Sequence, residues 1–176
     1  MTKIIIDGYN LIRQVPELME HENESLEAGR TALLKRLRAY RQYKAHPITV
    51  VFDGKSEMSE AAVPFREAGL TLCFSTGAQT ADDVILELLG KHTDDTIVVT
   101  SDRFVMQSVR AKGCAIIDSV TFYQKMMLAL QMEGASFSSE DTKPKPTHKR
   151  WTTYKKGPSK RLPKAKRRNT VRLKDL

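Results

Sequence analysis

Lys3-Ile4-Ile5-Ile6-Asp7-Gly8-Tyr9-Asn10 decides how the rest of the chain is read. Three isoleucines stop abruptly at an acid, a glycine, an aromatic residue and an amide, the pattern of a buried strand that ends at a polar site. The pattern returns in Ile48-Thr49-Val50-Val51-Phe52, which ends at Asp53-Gly54, and in Thr96-Ile97-Val98-Val99-Thr100, which ends at Ser101-Asp102-Arg103. Apolar runs that each deliver an Asp at the C-terminal end predict parallel strands of one sheet. Ligands of open α/β sheets sit beyond those ends, so Asp7, Asp53 and Asp102 are expected to converge.

Helical spacing fills the gaps between these runs. Leu26, Leu33, Leu34, Leu37 and Tyr40 predict a helix from Ser25 to about Tyr43. Its basic residues Arg30, Lys35, Arg36 and Arg38 read as a solvated face, with nucleic-acid contact as the alternative. Residues 11–23 lack periodicity and read as a loop. Gly54 to Pro64 is a polar loop on the site face, long enough to close over a substrate. Leu70 to Phe74 reads as a strand at a sheet edge. Thr80 opens a helix with Asp82 and Asp83 in its first turn and Val84, Ile85, Leu88 and Leu89 on its buried face. A short helix around Phe104 stops at Lys112-Gly113, Ala115-Ile116-Ile117 forms a further strand, and a last helix runs from Ser119 to about Gln131. Gly134 to Ser139 breaks the pattern, giving a domain over 1–132 and a tail over 133–176. Strands alternating with helices through long connections predict an α/β fold, a mainly parallel sheet with helices on both faces.

The 176 residues suffice for one domain with a proper core, and 40% apolar content with 28% charge is that of an ordinary globular chain. No run approaches the roughly 18 apolar residues of a membrane span, and Lys3 and Asp7 stand where a secretory signal needs an apolar centre; a cytoplasmic protein is expected. Cys73 and Cys114 have no spacing motif and read as buried thiols. His21, His46, His92 and His148 are scattered and suggest neither a zinc site nor a nucleophile–histidine pair. The net charge of +8 hides a division. Residues 143–176 carry fourteen Lys or Arg against one acid, net +13, while the remainder is net −5. Such a split suits an acidic site that handles cations and a separate arm that handles phosphates.

Asp7, Asp53, Asp82 and Asp102, with or without Asp83, would crowd one end of the sheet. Like charges raise one another's pKa values, so the cluster is unfavourable unless a cation sits among them. Oxygen ligands without His or Cys point to one or two Mg²⁺ or Mn²⁺ ions rather than zinc. Ions held by carboxylates with open positions suit activation of water and clamping of a phosphodiester. The competing explanation for Asp82 and Asp83 is that acids at a helix N-terminus cap it and favour its dipole. Asn10 is placed to bind the water, the metal or a phosphate oxygen. Ser101 and Arg103 flank Asp102, and Arg103 either positions a phosphate or pairs with a neighbouring Asp. A nucleotide cofactor is disfavoured, because Asp7-Gly8-Tyr9-Asn10 has one glycine where dinucleotide folds need three.

Ile6-Asp7-Gly8-Tyr9-Asn10-Leu11-Ile12, Val51-Phe52-Asp53, Thr80-Ala81-Asp82 and Val98-Val99-Thr100-Ser101-Asp102-Arg103, in this order and spacing, resemble the NYN-domain family, specifically its bacterial YacP-like branch. The resemblance covers about residues 1–132. It implies a PIN-like three-layer fold with acids at the C-terminal edge of the sheet, and metal-dependent ribonuclease activity. By motif position it implies metal-site roles for Asp7, Asp53, Asp82 and Asp102, with Asn10 as their polar partner in catalysis. Relatives commonly carry a small polar residue after the third acid, where this chain has Asp83, leaving open whether Asp83 is a ligand or a cap. The basic extension lies beyond the resemblance.

That extension contains Pro144, Pro146, Pro158 and Pro163 and few apolar residues, a composition expected to be disordered when free. Trp151 and Tyr154, among Lys149, Arg150, Arg167 and Arg168, suit base stacking beside phosphate contacts. RNA or the ribosome is the expected partner; a solubilising tail is the alternative. A membrane is not expected, since no apolar face accompanies the charge. Three activities compete. The first is a metal-dependent endoribonuclease, and the second a non-catalytic RNA- or ribosome-binding adaptor. The third is a phosphatase with Asp7 as nucleophile, which usually needs a second acid two residues on, where Tyr9 stands.

Overall fold

A computed structural model describes residues 1–54, 64–77, 79–90, 93–136 and 164–176. Its centre is a six-stranded sheet built from β1 (Lys3–Asp7), β2 (Ile48–Phe52), β3 (Phe65–Glu67), β4 (Leu70–Phe74), β5 (Thr96–Val99) and β6 (Ala115–Ile117), in the order β3-β4-β2-β1-β5-β6. Every neighbouring pair is parallel except β3 with β4. Helices are α1 (Gly8–Gln14), α2 (Pro16–Glu24), α3 (Leu26–Lys44), α4 (Ala81–Leu89), α5 (Arg103–Ala111), α6 (Ser119–Ser136) and α7 (Lys164–Asp175).

Side chains alternate between the two faces of a strand, so each continuous apolar run feeds two cores. Ile4, Ile6, Val50, Phe52, Ile97 and Val99 face one core, closed by α1, α2, α3 and α6 through Leu11, Leu18, Leu33, Leu37, Phe122 and Met126. Ile5, Val51, Cys73 and Val98 face a second core, closed by Val84, Ile85 and Leu89 of α4 and Val105 and Val109 of α5. This is the expected α/β three-layer arrangement. Cys73 and Cys114 are buried and form no disulfide. Burial pushes the Cys114 thiol up to about 11, and it donates to the Thr96 carbonyl. Among the described residues no helix is long and apolar enough to cross a membrane.

The register fixes where polar ends meet. Asp7 lies opposite Val51 on one side, and Ile6 lies opposite Val99 on the other, so Asp7 sits level with Thr100. Phe52 lies opposite Phe74, which places Asp53 level with Ser75. The C-terminal strand ends therefore share one rim.

Four local expectations differ from the structure. Residues 11–23 are not a loop: all but Val15, the bend that caps both, belong to α1 and α2, and Leu11, Ile12, Val15 and Leu18 are buried. Pro16 occupies the first turn of α2, where its missing N–H is harmless. Leu70–Phe74 is not an edge strand: exposed β3 covers it through a tight turn in which Ala68 (φ 45°) and Gly69 (φ 85°) are left-handed, the geometry favoured for two-residue hairpins. The last domain helix runs through Gly134 to Ser136. Finally, residues 164–175 of the tail form a helix, and Leu176, 5% exposed, sits in the first core with Leu173 packed beside it. The buried Tyr40 hydroxyl donates to the Leu176 main-chain oxygen at 2.9 Å. A helix with so few apolar residues folds because two leucines find a groove that composition does not reveal. The expected loop between Gly54 and Pro64 falls largely outside the described residues, as do His92 and His148.

Candidate acidic active site

Asp7 is the last residue of β1 and the N-cap of α1. Its Oδ1 accepts the Asn10 N–H at 3.3 Å and its Oδ2 accepts the Thr100 hydroxyl at 3.1 Å. Only 8% of the residue is exposed. Burial pushes its carboxyl up to about 6, with Asp82 and Asp102 adding to the rise against the two hydrogen bonds. Gly8 follows because a β-carbon there would collide with the Phe52 ring. The tight passage from strand to helix thus needs glycine for space, in a chain with no positive φ at that position.

Asn10 is drawn into structural bonds. Its Oδ1 accepts the Ser101 N–H at 2.8 Å and the Ser119 hydroxyl at 2.8 Å, tying α1 to the ends of β5 and β6. The Ser101 hydroxyl accepts the Ser119 N–H at 3.1 Å, closing the link. Asp102 caps α5, its Oδ1 accepting from Phe104 N at 2.7 Å and Val105 N at 3.2 Å, while its own N–H donates to the Thr100 hydroxyl at 3.1 Å. One carboxylate oxygen of Asp102 is thereby committed to the cap. Thr100, fully buried, joins Asp7 to Asp102 through a single hydroxyl.

Asp53 is exposed and accepts the Ser75 hydroxyl at 2.6 Å, and Ser75 in turn accepts the Gly54 N–H at 3.2 Å. Asp82, half-buried in the first turn of α4, has its carboxyl raised by burial and then by Asp102, Asp83 and Asp53. Asp83 stands beside it in the first turn of the same helix. It completes a capping box, its Oδ2 accepting from Thr80 N at 3.1 Å and the Thr80 hydroxyl at 2.8 Å. Those bonds hold its carboxyl below the usual range, the signature of a cap. Arg103 is exposed and, among the described residues, in no ion pair.

The four carboxylates Asp7, Asp53, Asp82 and Asp102 thus share one rim and are linked by charge: Asp82 senses Asp53 and Asp102, and Asp7 senses Asp82 and Asp102. Among the described residues no three of His, Cys, Asp and Glu stand close enough to form a ligand cluster for one ion. The donor set itself, carboxylates with neighbouring hydroxyls and an amide, fits a hard divalent cation. The Thr76 hydroxyl, buried without a hydrogen-bond partner in the loop leaving β4, adds an uncompensated polar atom at this rim.

Sequence reasoning missed the supports. Thr100, Ser75 and Ser119 each follow a strand directly or nearly so, a position signal that reads as ordinary loop until the partners are known. Arg30 was expected on a solvated face. Instead its guanidinium donates to the Tyr9 hydroxyl at 2.8 Å and lies 5.6 Å over the Phe74 ring, bringing a cation to the same end of the sheet. Lys149, Arg150, Trp151 and Tyr154 lie outside the described residues. Arg167 and Arg168 lie within α7, with side chains outside the described set.

Uncharacterized protein YacP of Bacillus subtilis (strain 168) is 34% identical to the chain over 53 residues, 30% of this chain and 31% of that protein. The match therefore spans about a third of that relative's length. Crystal structures of Rae1 (YacP) from Bacillus subtilis share the fold. One superposes with a TM-score of 0.65 over 78% of this chain and 80% of the other, and a mutant form with 0.64 over 80% and 86%, both at 21% identity. The YacP-like NYN domain model matches residues 4–166, which carries it past the expected domain end into the tail. By that match the chain belongs to the YacP-like NYN domain family, whose PIN-like domains are nucleases.

Proposed function

We propose that the chain is a divalent-metal-dependent endoribonuclease that hydrolyses RNA phosphodiester bonds at the Asp7, Asp53, Asp82 and Asp102 rim. The observation that carries this reading is Asp7: a carboxyl buried at a strand end and pushed up to about 6 disfavours the folded state at neutral pH. Carboxyls perturbed by burial and by neighbouring charge cluster at sites where chemistry uses them. Asp7, Asp53, Asp82 and the free oxygen of Asp102 would hold one or two Mg²⁺ or Mn²⁺ ions, which supply charge neutralisation and an acidified water when bound.

The chain's own residues do the rest. Thr100 and the Asn10 N–H orient Asp7, and Ser75 orients Asp53. Asn10 locks the rim from below by holding Ser101 and Ser119, which makes it a positioning residue in this reading. Arg103, exposed next to Asp102, takes a phosphate oxygen in this reading. The basic tail, with Lys149, Arg150, Trp151, Tyr154, Arg167 and Arg168, holds RNA or a ribosome by phosphate contacts and stacking, in the cytoplasm.

The test is incubation of the protein and its Asp7→Asn and Asp102→Asn variants with cellular RNA and ribosomes in Mg²⁺, Mn²⁺ or EDTA, with RNA ends mapped. Metal-dependent cuts bearing 5′-phosphates and absent from both variants support the nuclease. The adaptor reading draws on the net +13 of residues 143–176. It takes over if RNA or ribosomes are retained without cuts under every ion.

A further inference from the structure

We propose that Phe104 is the platform on which the nucleobase next to the scissile phosphate stacks. The inference rests on the RNA-cleaving reading of the rim and adds to it a residue that holds the substrate. Helix α5 buries Val105 and Val109 against the second core and leaves Arg103, Phe104, Gln107 and Arg110 in solvent. Phe104 is 68% exposed, although polar residues fill the rest of that face. The other exposed aromatic rings among the described residues are partnered: Phe65, 46% exposed, stacks on Phe74, and Tyr43, 43% exposed, has the Lys44 ammonium over its ring. Among the described residues no ring or cation lies against Phe104.

Its position gives the bare ring a use. The Phe104 N–H donates to Asp102 Oδ1 at 2.7 Å, so the ring is rooted beside a carboxylate of the rim. Arg103 precedes it, and Arg110, seven residues on, falls on nearly the same line of the helix as Arg103, about 10 Å further along. Asp102, the arginine line and the Phe104 ring follow one another around the start of α5, and match the parts of a nucleotide: a phosphate to be cut, a neighbouring phosphate and a flat base. Every base has a π-face, so such a platform tolerates sequence but needs an unpaired base, because a duplex hides its base faces.

The experiment uses the full-length protein with Phe104→Ala and Phe104→Trp. Binding of a single-stranded oligoribonucleotide is measured in EDTA at high salt, which suppresses the tail's phosphate contacts, and a single abasic residue is walked along the strand. Base–aromatic stacking predicts that Phe104→Ala weakens binding about ten-fold and that Phe104→Trp restores it. One abasic position should weaken the wild type by the same factor and leave Phe104→Ala unaffected. Under Mg²⁺ or Mn²⁺ the loss should fall on KM, with kcat little changed. Equal binding by wild type and Phe104→Ala, abasic effects that are the same in both, or no binding by the wild type would overturn the proposal. If Phe104-dependent binding appears without cleavage in any ion, the nuclease reading fails and the placement beside a scissile phosphate with it, while base stacking on Phe104 stands. Cleavage indifferent to Phe104→Ala refutes the platform alone.

Discussion

Asp7→Asn should make the metal-free protein more stable at neutral pH while abolishing cleavage. The Asp7 carboxyl moves from 3.8 to about 6 on folding. Between those values the folded state keeps a proton that the unfolded chain releases, so stability falls as pH rises through the window and is level above it. At 1.36 kcal/mol per pH unit the full loss is about 3 kcal/mol. Asparagine carries no charge, so it escapes this loss and still accepts the Asn10 N–H. Its amide nitrogen, however, would face a Thr100 hydroxyl that now donates to Asp7, removing about 1 kcal/mol. The net gain at pH 7.5 is about 1–2 kcal/mol, or a rise of about 2–8 °C in Tm for a chain of this size. Thermal denaturation in EDTA at pH 4 and pH 7.5 measures it: the gain should be present at the higher pH and gone at the lower. Mn²⁺ or Mg²⁺ at about 100 times its Kd should then raise the wild type by about 2.7 kcal/mol and leave the variant unmoved. A variant less stable than wild type at pH 7.5, or a gain equal at both pH values, would refute the account of Asp7 as a strained, cation-seeking carboxylate.

Other outcomes follow from particular contacts. Thr80→Ala removes the capping box on α4 and should cost about 1 kcal/mol in urea denaturation. Asp83→Asn should leave cleavage within a few-fold of wild type where Asp82→Asn loses at least about 100-fold, a contrast read in a single-turnover assay. Gly8→Ala drives a methyl into the Phe52 ring and should destabilise by about 1–3 kcal/mol, with cleavage reduced in step because Asp7 and Asn10 lie on either side. Tyr40→Phe leaves the Leu176 oxygen without its donor and should cost about 1–2 kcal/mol in the full chain, but nothing in a chain ending at residue 163; equal costs in both would mean α7 does not dock. In a chain ending at Gln131, the slope of log K against log salt for RNA binding should flatten; an unchanged slope would remove the tail as the phosphate-binding arm.

Much of this molecule is readable along the chain because its signals are local. Strand runs that end in Asp7, Asp53 and Asp102 report a parallel sheet with an acidic rim, since burial on both faces demands continuous apolar residues and parallel strands put their ends on one side. The charge division between the acidic domain and the basic tail is equally plain. What the chain order cannot carry are choices made by residues far apart. Thr100 meets Asp7 across 93 positions, Ser119 meets Asn10 across 109 and Leu176 meets Tyr40 across 136. These contacts decide that Asp7 is the buried acid, that Asn10 braces the rim and that α7 docks. Two ambiguities are local. Pro16 marks a helix start as readily as a loop, and an acid in a first turn caps a helix as readily as it binds a metal. Asp82 and Asp83 are adjacent in sequence, yet burial and the neighbouring acids raise the carboxyl of one while bonds to Thr80 lower that of the other. Local pattern determined the sheet and the acids it gathers; only packing decided which of them is buried and which is bonded, because burial and hydrogen-bond partners exist only once distant segments meet.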